Sequence, residues 1–110
     1  MAIYSNFTID QGTTFSAYID VTDADDNILN LAGYTVAGQI RKSYNSTTFT
    51  AFSASISNAT GGTVNISLSA TQTNALKAGR YVYDVEITAS DATVTRIIEG
   101  QIEVTPGVTQ

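Results

Sequence analysis

The chain has 110 residues, a formal net charge of −5, 43% apolar and 14% charged residues, and no cysteine, histidine or tryptophan. A chain of this size forms one domain, 1–110, that buries roughly 65% of its unfolded surface in a single core. Without Cys or His there is no disulfide, thiolate zinc site, cysteine nucleophile or Ser-His-Asp triad, so neither a cofactor nor an enzymatic activity is expected. Five scattered Lys and Arg residues make no stripe for nucleic acid. No basic segment followed by an apolar stretch marks a signal peptide, and no apolar run reaches the length of a membrane span.

Residues 6–10 read as a short strand ending at Gln11-Gly12. A second strand, 14–22, places Phe15, Ala17, Ile19 and Val21 on one face, and the Asp- and Asn-rich run 23–27 turns the chain. Ala32-Gly33-Tyr34 bends it into a third strand, 35–42, with Val36, Gly38 and Ile40 inward and Ala37, Gln39 and Arg41 outward. After a polar loop, 43–47, residues 48–57 make one or two weaker strands carrying Phe49, Phe52 and Ile56. A turn at 58–62 closes a hairpin onto 63–69, where Val64, Ile66 and Leu68 face the core.

One short helical turn is expected at 71–77, capped by Ser69 or Thr71 and ended by Gly79 in a left-handed conformation, with Leu76 closing over the core. The clearest alternation follows: Tyr81, Tyr83, Val85 and Ile87 on one face, Val82, Asp84, Glu86 and Thr88 on the other. A last strand, 93–105, gives Ile98, Ile102 and Val104 the parity of Gly100, itself expected at a bulge or a close backbone approach. Seven to nine short strands with almost no helix make an antiparallel β-sandwich. Leu76, Gly79, Tyr81 and Tyr83 fit the corner of an immunoglobulin-like sandwich, where a Tyr stands two residues before the core cysteine and caps the corner through its hydroxyl; Tyr83 takes the cysteine's place. Both tyrosines also fit ordinary core-edge aromatics.

Several clusters have the right residue types for chemistry. Asp23, Asp25 and Asn27 open like a calcium loop, but Ile28 replaces the sharp-turn Gly and Tyr34 the closing Glu, which favours a solvated turn. Asp84, Glu86, Glu99 and Glu103 point outward on neighbouring strands, and cross-strand pairing with Arg41 or Arg96 accounts for them more simply than catalysis. Val82 and Ile97 share outward parity, making an apolar spot on a wet face of the kind that marks contact surfaces. Tyr44 in the polar loop, with Tyr4, Tyr18 and Tyr34, is a candidate platform for a sugar ring.

Four segments stand together: Gln11-Gly12-Thr13, Leu29 to Val36, Ala78 to Val85, and Glu99 to Pro106. In this order the chain resembles small tailed-phage virion structural proteins with an immunoglobulin-like β-sandwich, notably the N-terminal domain of baseplate upper proteins and short structural proteins of marine myoviruses. The resemblance spans nearly the whole chain and carries no catalytic residue. It implies a non-enzymatic virion protein, made in the host cytoplasm without a signal peptide and present in many copies. Such a protein docks on major capsid or tail and baseplate subunits, with no nucleic acid or membrane partner. With no fibre-forming extension after Gln110, a free-standing module is expected. Its contact elements are expected to be Val82 and Ile97, Arg41, Tyr44 with its loop 43–48, and the N-terminal edge 2–8. The alternative is a carbohydrate-binding or adhesion module that takes a host-surface glycan.

Overall fold

The computed structural model describes residues 3–23 and 25–108. The order is β1 (Ile3–Tyr4), β2 (Phe7–Asp10), β3 (Phe15–Asp20), β4 (Thr35–Arg41), β5 (Thr50–Ala51), β6 (Ser53–Asn58), β7 (Thr63–Leu68), α1 (Ala70–Ala75), β8 (Gly79–Thr88) and β9 (Val94–Thr105). Two sheets pack face to face. The larger runs β1-β9-β8-β4-β5, with β2 also on β9; the smaller runs β3-β7-β6. This is an immunoglobulin-like sandwich.

Two details depart from the sequence reading. The sandwich is not wholly antiparallel: β1 and β2 pair in parallel with β9, Ile3 opposite Ile98 and Phe7 opposite Ile102. The physical cause lies at Gln11–Thr14, where the chain crosses to the other sheet instead of folding back as a hairpin, so β2 finds its partner in the last strand. The Phe7 and Phe15 rings then face each other between the sheets, edge to face at 5.6 Å. In addition, α1 runs Ala70–Ala75, capped by Ser69 in a capping box with Gln72, and it ends at Leu76 with extended backbone. Gly79 therefore terminates no helix; with φ +142 it opens β8 beside Lys42.

Alternation supplies the core. Ile19, Val64, Ile66, Leu68, Val85 and Ile87 are buried between the sheets, and Leu76 closes one end. Thr73, the one buried polar residue among the described residues, ties helix to turn: its hydroxyl donates to the Thr13 carbonyl at 2.7 Å and accepts from the Gly12 amide at 3.1 Å. Tyr83, only 3% exposed, packs against Phe7 and Phe52 and donates to the Ser5 carbonyl at 2.6 Å. Burial, with Tyr4 adding to it, holds the Tyr83 phenol protonated well above the usual tyrosine range, so it remains a donor. Gly100, opposite Tyr83, is what admits Ser5: a Cβ there would fall on the Ser5 carbonyl oxygen.

Ile97 corrects a surface assignment. Val85 pairs with Ile98 but Glu86 pairs with Arg96, leaving Ile97 as the extra residue of a β-bulge. The bulge reverses strand parity, so Ile97 turns into the core at 5% exposure instead of standing beside Val82 on the wet face. Ile97→Ala is accordingly expected to cost about 2–4 kcal/mol in urea unfolding, as for a core cavity and not a surface change. Tyr83→Phe should cost about 1–2 kcal/mol by leaving Ser5 short of a donor. Gly100→Ala should cost more than Tyr83→Phe by the same measurement, because it forces β1 and β2 off β9.

Candidate interaction surface

The outward side chains of β4, β8 and β9 meet in a concave groove of about 390 Å³ on the larger sheet. Register dictates which residues meet. Arg41 lies opposite Val82 and Gln39 opposite Asp84, while on the other side of β8 Asp84 faces Glu99 and Glu86 faces Arg96. Tyr44 reaches the rim from the loop after β4 and is 71% exposed.

Charge in the groove is arranged around two guanidinium groups. Asp84 and Glu99, like charges directly across a strand pair, would repel. Arg96 sits between them, its Nε 3.2 Å from Asp84 and its Nη1 3.8 Å from Glu99. The Ile97 bulge is what makes this available: in an unbroken strand Arg96 would share the inward parity of Ile98. Arg41 does not pair with a carboxylate as the sequence suggested. Its guanidinium donates to Gln39 Oε1 at 2.9 and 3.3 Å and to the Ser46 carbonyl at 2.7 Å, and it lies over the Phe49 ring at 5.3 Å. The cause is position: Arg41 ends β4 next to a turn in which the Ser46 amide bonds the Ser43 carbonyl. Arg41 thereby fixes the loop that presents Tyr44.

Of the residues singled out as contacts, the structure brings Arg41, Tyr44 and Val82 together and separates Ile97 from them. Gln39, the residue that orients Arg41, went unnoticed as part of the site. Its signal was present in its outward parity two residues before Arg41. The corner group occupies the far end of β8. There the Tyr81 hydroxyl donates to the Lys77 carbonyl at 2.7 Å, and Lys42 lies 4.8 Å over the Tyr81 ring. The Asp-rich turn spends its first carboxylate on its own backbone: Asp23 Oδ1 accepts from the amides of Asp25 and Asn27 at 2.9 and 3.0 Å. Among the described residues no three acidic groups converge as a metal site would require. The N-terminal contact element falls partly outside the described residues, which begin at Ile3; Ile3 and Tyr4 are about half exposed or more on the sheet edge.

No protein-family model matches the chain, and no curated protein matches it. Among solved structures it is similar to part of an internalin-like protein of Listeria monocytogenes, at 16% identity and a TM-score of 0.45, over 96% of this chain and 28% of that one. It is likewise similar to part of a family 123 glycoside hydrolase from Clostridium perfringens, at 13% identity and a TM-score of 0.45, over 97% of this chain and 24% of that one. The chain thus spans about a quarter of each neighbour's length, and neither neighbour's role carries over to it.

Replacing Arg96 with Ala should leave Asp84 and Glu99 facing each other without a counter-charge. The expected cost is below about 1 kcal/mol, since the groups are exposed, and it should shrink as salt is raised. Thermal unfolding at low and high ionic strength measures it; a cost that does not change with salt would contradict the electrostatic account.

Proposed function

We propose that the chain is a non-enzymatic structural module of a tailed-phage virion, docking on other virion subunits through the outer face of its larger sheet. The reading rests on the likeness of the four sequence segments to such proteins. The observation that carries it is the groove itself, where a fixed Arg41, an exposed Tyr44 and the apolar Val82 share one shallow surface. Aromatic and Arg side chains around an apolar centre are the residues that dominate protein contact surfaces. The chain has no His or Cys with which to build the common nucleophile–base pairs. Repetition on a symmetric particle would add avidity to modest individual contacts.

The groove supports a second reading, a glycan-binding module. It mixes donors, Arg41 and Arg96, with acceptors, Asp84 and Glu99, and neighbouring hydroxyls on a sugar ring both donate and accept. Tyr44 at the rim offers a ring face for stacking.

Tyr44→Ala and Val82→Asp, introduced into the phage, are expected to lower the copy number per particle at least tenfold, read by quantitative mass spectrometry of purified virions. Hundreds of wild-type copies would place the protein on the capsid, and a small multiple of the tail's rotational symmetry would place it there. Unchanged copy number in both variants would overturn the docking reading. Glycan-array binding by the wild type that Tyr44→Ala abolishes, with incorporation retained, would establish the second reading in its place.

A further inference from the structure

The smaller sheet ends on one side in an unguarded strand. β3 is terminal in the order β3-β7-β6, and it pairs with β7 over its full six residues without a shift in register. Other edge strands are bulged or shorter: β6 is bulged at Ile56–Asn58, β2 has four residues, and β1 and β5 have two each. β3 has no Pro, Lys or bulge. The Val21 amide donates to the Gly62 carbonyl at 2.7 Å, continuing the ladder in which Asp20 faces Thr63. By alternation along an antiparallel pair, Phe15, Ala17 and Ile19 then bond toward β7, and the backbone groups of Ser16, Tyr18 and Asp20 point to the open edge.

Two further features lie at the C-terminal end of this edge. A small crevice of about 70 Å³ opens between the sheets, its lining mixing the aliphatic side chains of Val21, Leu29 and Ile97 with the polar ones of Asp20, Thr22 and Thr95. Beyond it the exposed carboxylates of Asp20, Asp23, Asp25 and Asp26 follow one another, and none of them is in an ion pair among the described residues. A strand laid antiparallel on β3 would place the side chain opposite Val21 over the crevice and its preceding residues against the acidic turn.

We propose that β3 is an acceptor edge for strand addition by an extended segment of a partner protein, one that begins with basic residues and continues with aliphatic side chains at alternate positions. Backbone bonds to Ser16, Tyr18 and Asp20 supply the pairing, aliphatic side chains at alternate positions extend the inward row of Phe15, Ala17 and Ile19, and the acidic turn selects the charge before them. β3 of a second copy does not supply this chemistry, because it contains no basic residue to meet the acidic turn. The proposal uses a different surface from the groove and stands whether or not the groove docks on a virion.

The test is a titration of the ¹⁵N-labelled protein with a capped peptide of two Lys followed by alternating Val and Thr, and with its counterpart opening with two Glu. The Lys peptide is expected to slow hydrogen exchange at the Ser16, Tyr18 and Asp20 amides at least tenfold and to bind at least tenfold more tightly than the Glu peptide. Tyr18→Pro removes one outward amide without touching the β7 ladder and should abolish binding. Asp20→Lys, a surface change that leaves the edge intact, should narrow the preference for the Lys peptide at least threefold and keeps the test informative if Tyr18→Pro fails to fold. Unchanged exchange at the three amides with both peptides would overturn the proposal. So would equal affinity for the two peptides, or protection of those amides by self-association in the absence of any peptide.

Discussion

One extra residue in β9 governs both the core and the outer face. Because Ile97 is inserted between the pairs Val85–Ile98 and Glu86–Arg96, side-chain parity reverses at that point. Without the insertion, Ile97 would be stranded on the wet face and Arg96 would be driven between the sheets. Burying an unpaired guanidinium costs far more than exposing an isoleucine, so the straight pairing is excluded by the charge above all. The bulge resolves both conflicts together. It seats Ile97 in the core and brings Arg96 between Asp84 and Glu99 in the groove.

The N-terminal strands depend on β9 in a second way. Parallel pairing over so few residues is a weak attachment, and β1 contributes only two. Tyr83 reinforces it from the neighbouring strand by reaching past Gly100 to the Ser5 carbonyl, while its ring fills the space beside Phe7 and Phe52. In antibody domains a disulfide occupies this level of the core. Here an aromatic side chain with a polar tip fills that level, its ring packed on Phe7 and Phe52 while its one hydrogen bond, to Ser5, stays within the larger sheet. Two residues earlier on β8, Tyr81 turns its hydroxyl back to Lys77 and holds the corner from which the strand departs. Two tyrosines in alternate positions thus tie the first half of β8 to the corner before it and to the N-terminal segment.

Most of the sandwich was legible because period-2 patterning is a local property. The inward sets Val36-Gly38-Ile40, Val64-Ile66-Leu68 and Tyr83-Val85-Ile87 all fall where alternation puts them, as does the capping role of Ser69. What alternation could not supply was anything depending on a partner strand. The bulge at Ile97 exists only relative to β8, since the sequence Arg96-Ile97-Ile98 is compatible with either parity. Parallel pairing of β2 depends on β9, some 95 residues away, and the Gln11-Gly12 turn serves a sheet crossing as readily as a hairpin. At the groove, strand parity puts Arg41 and Val82 on the outer face and the polar loop carries Tyr44, but that the three meet depends on the pairing of β4 with β8. The partner of Arg41 was misjudged because the nearest acceptor was a loop carbonyl, Ser46, which no side-chain pattern reveals.

The same geometry separates the surfaces available for contact. The groove opens on the outer face of the larger sheet, at right angles to the plane in which strands hydrogen-bond. The β3 edge lies in the plane of the smaller sheet, beside the seam that β1 and β2 border from the other side. A ligand in the groove meets mainly side chains, and its recognition can vary with single substitutions such as those at Tyr44 or Val82. A strand on β3 meets backbone, which substitution changes little, so its selectivity must come from the few side chains at the end of the edge. Ile97 connects these two surfaces physically, because the bulge that lines the crevice with Ile97 is also what delivers Arg96 to the groove.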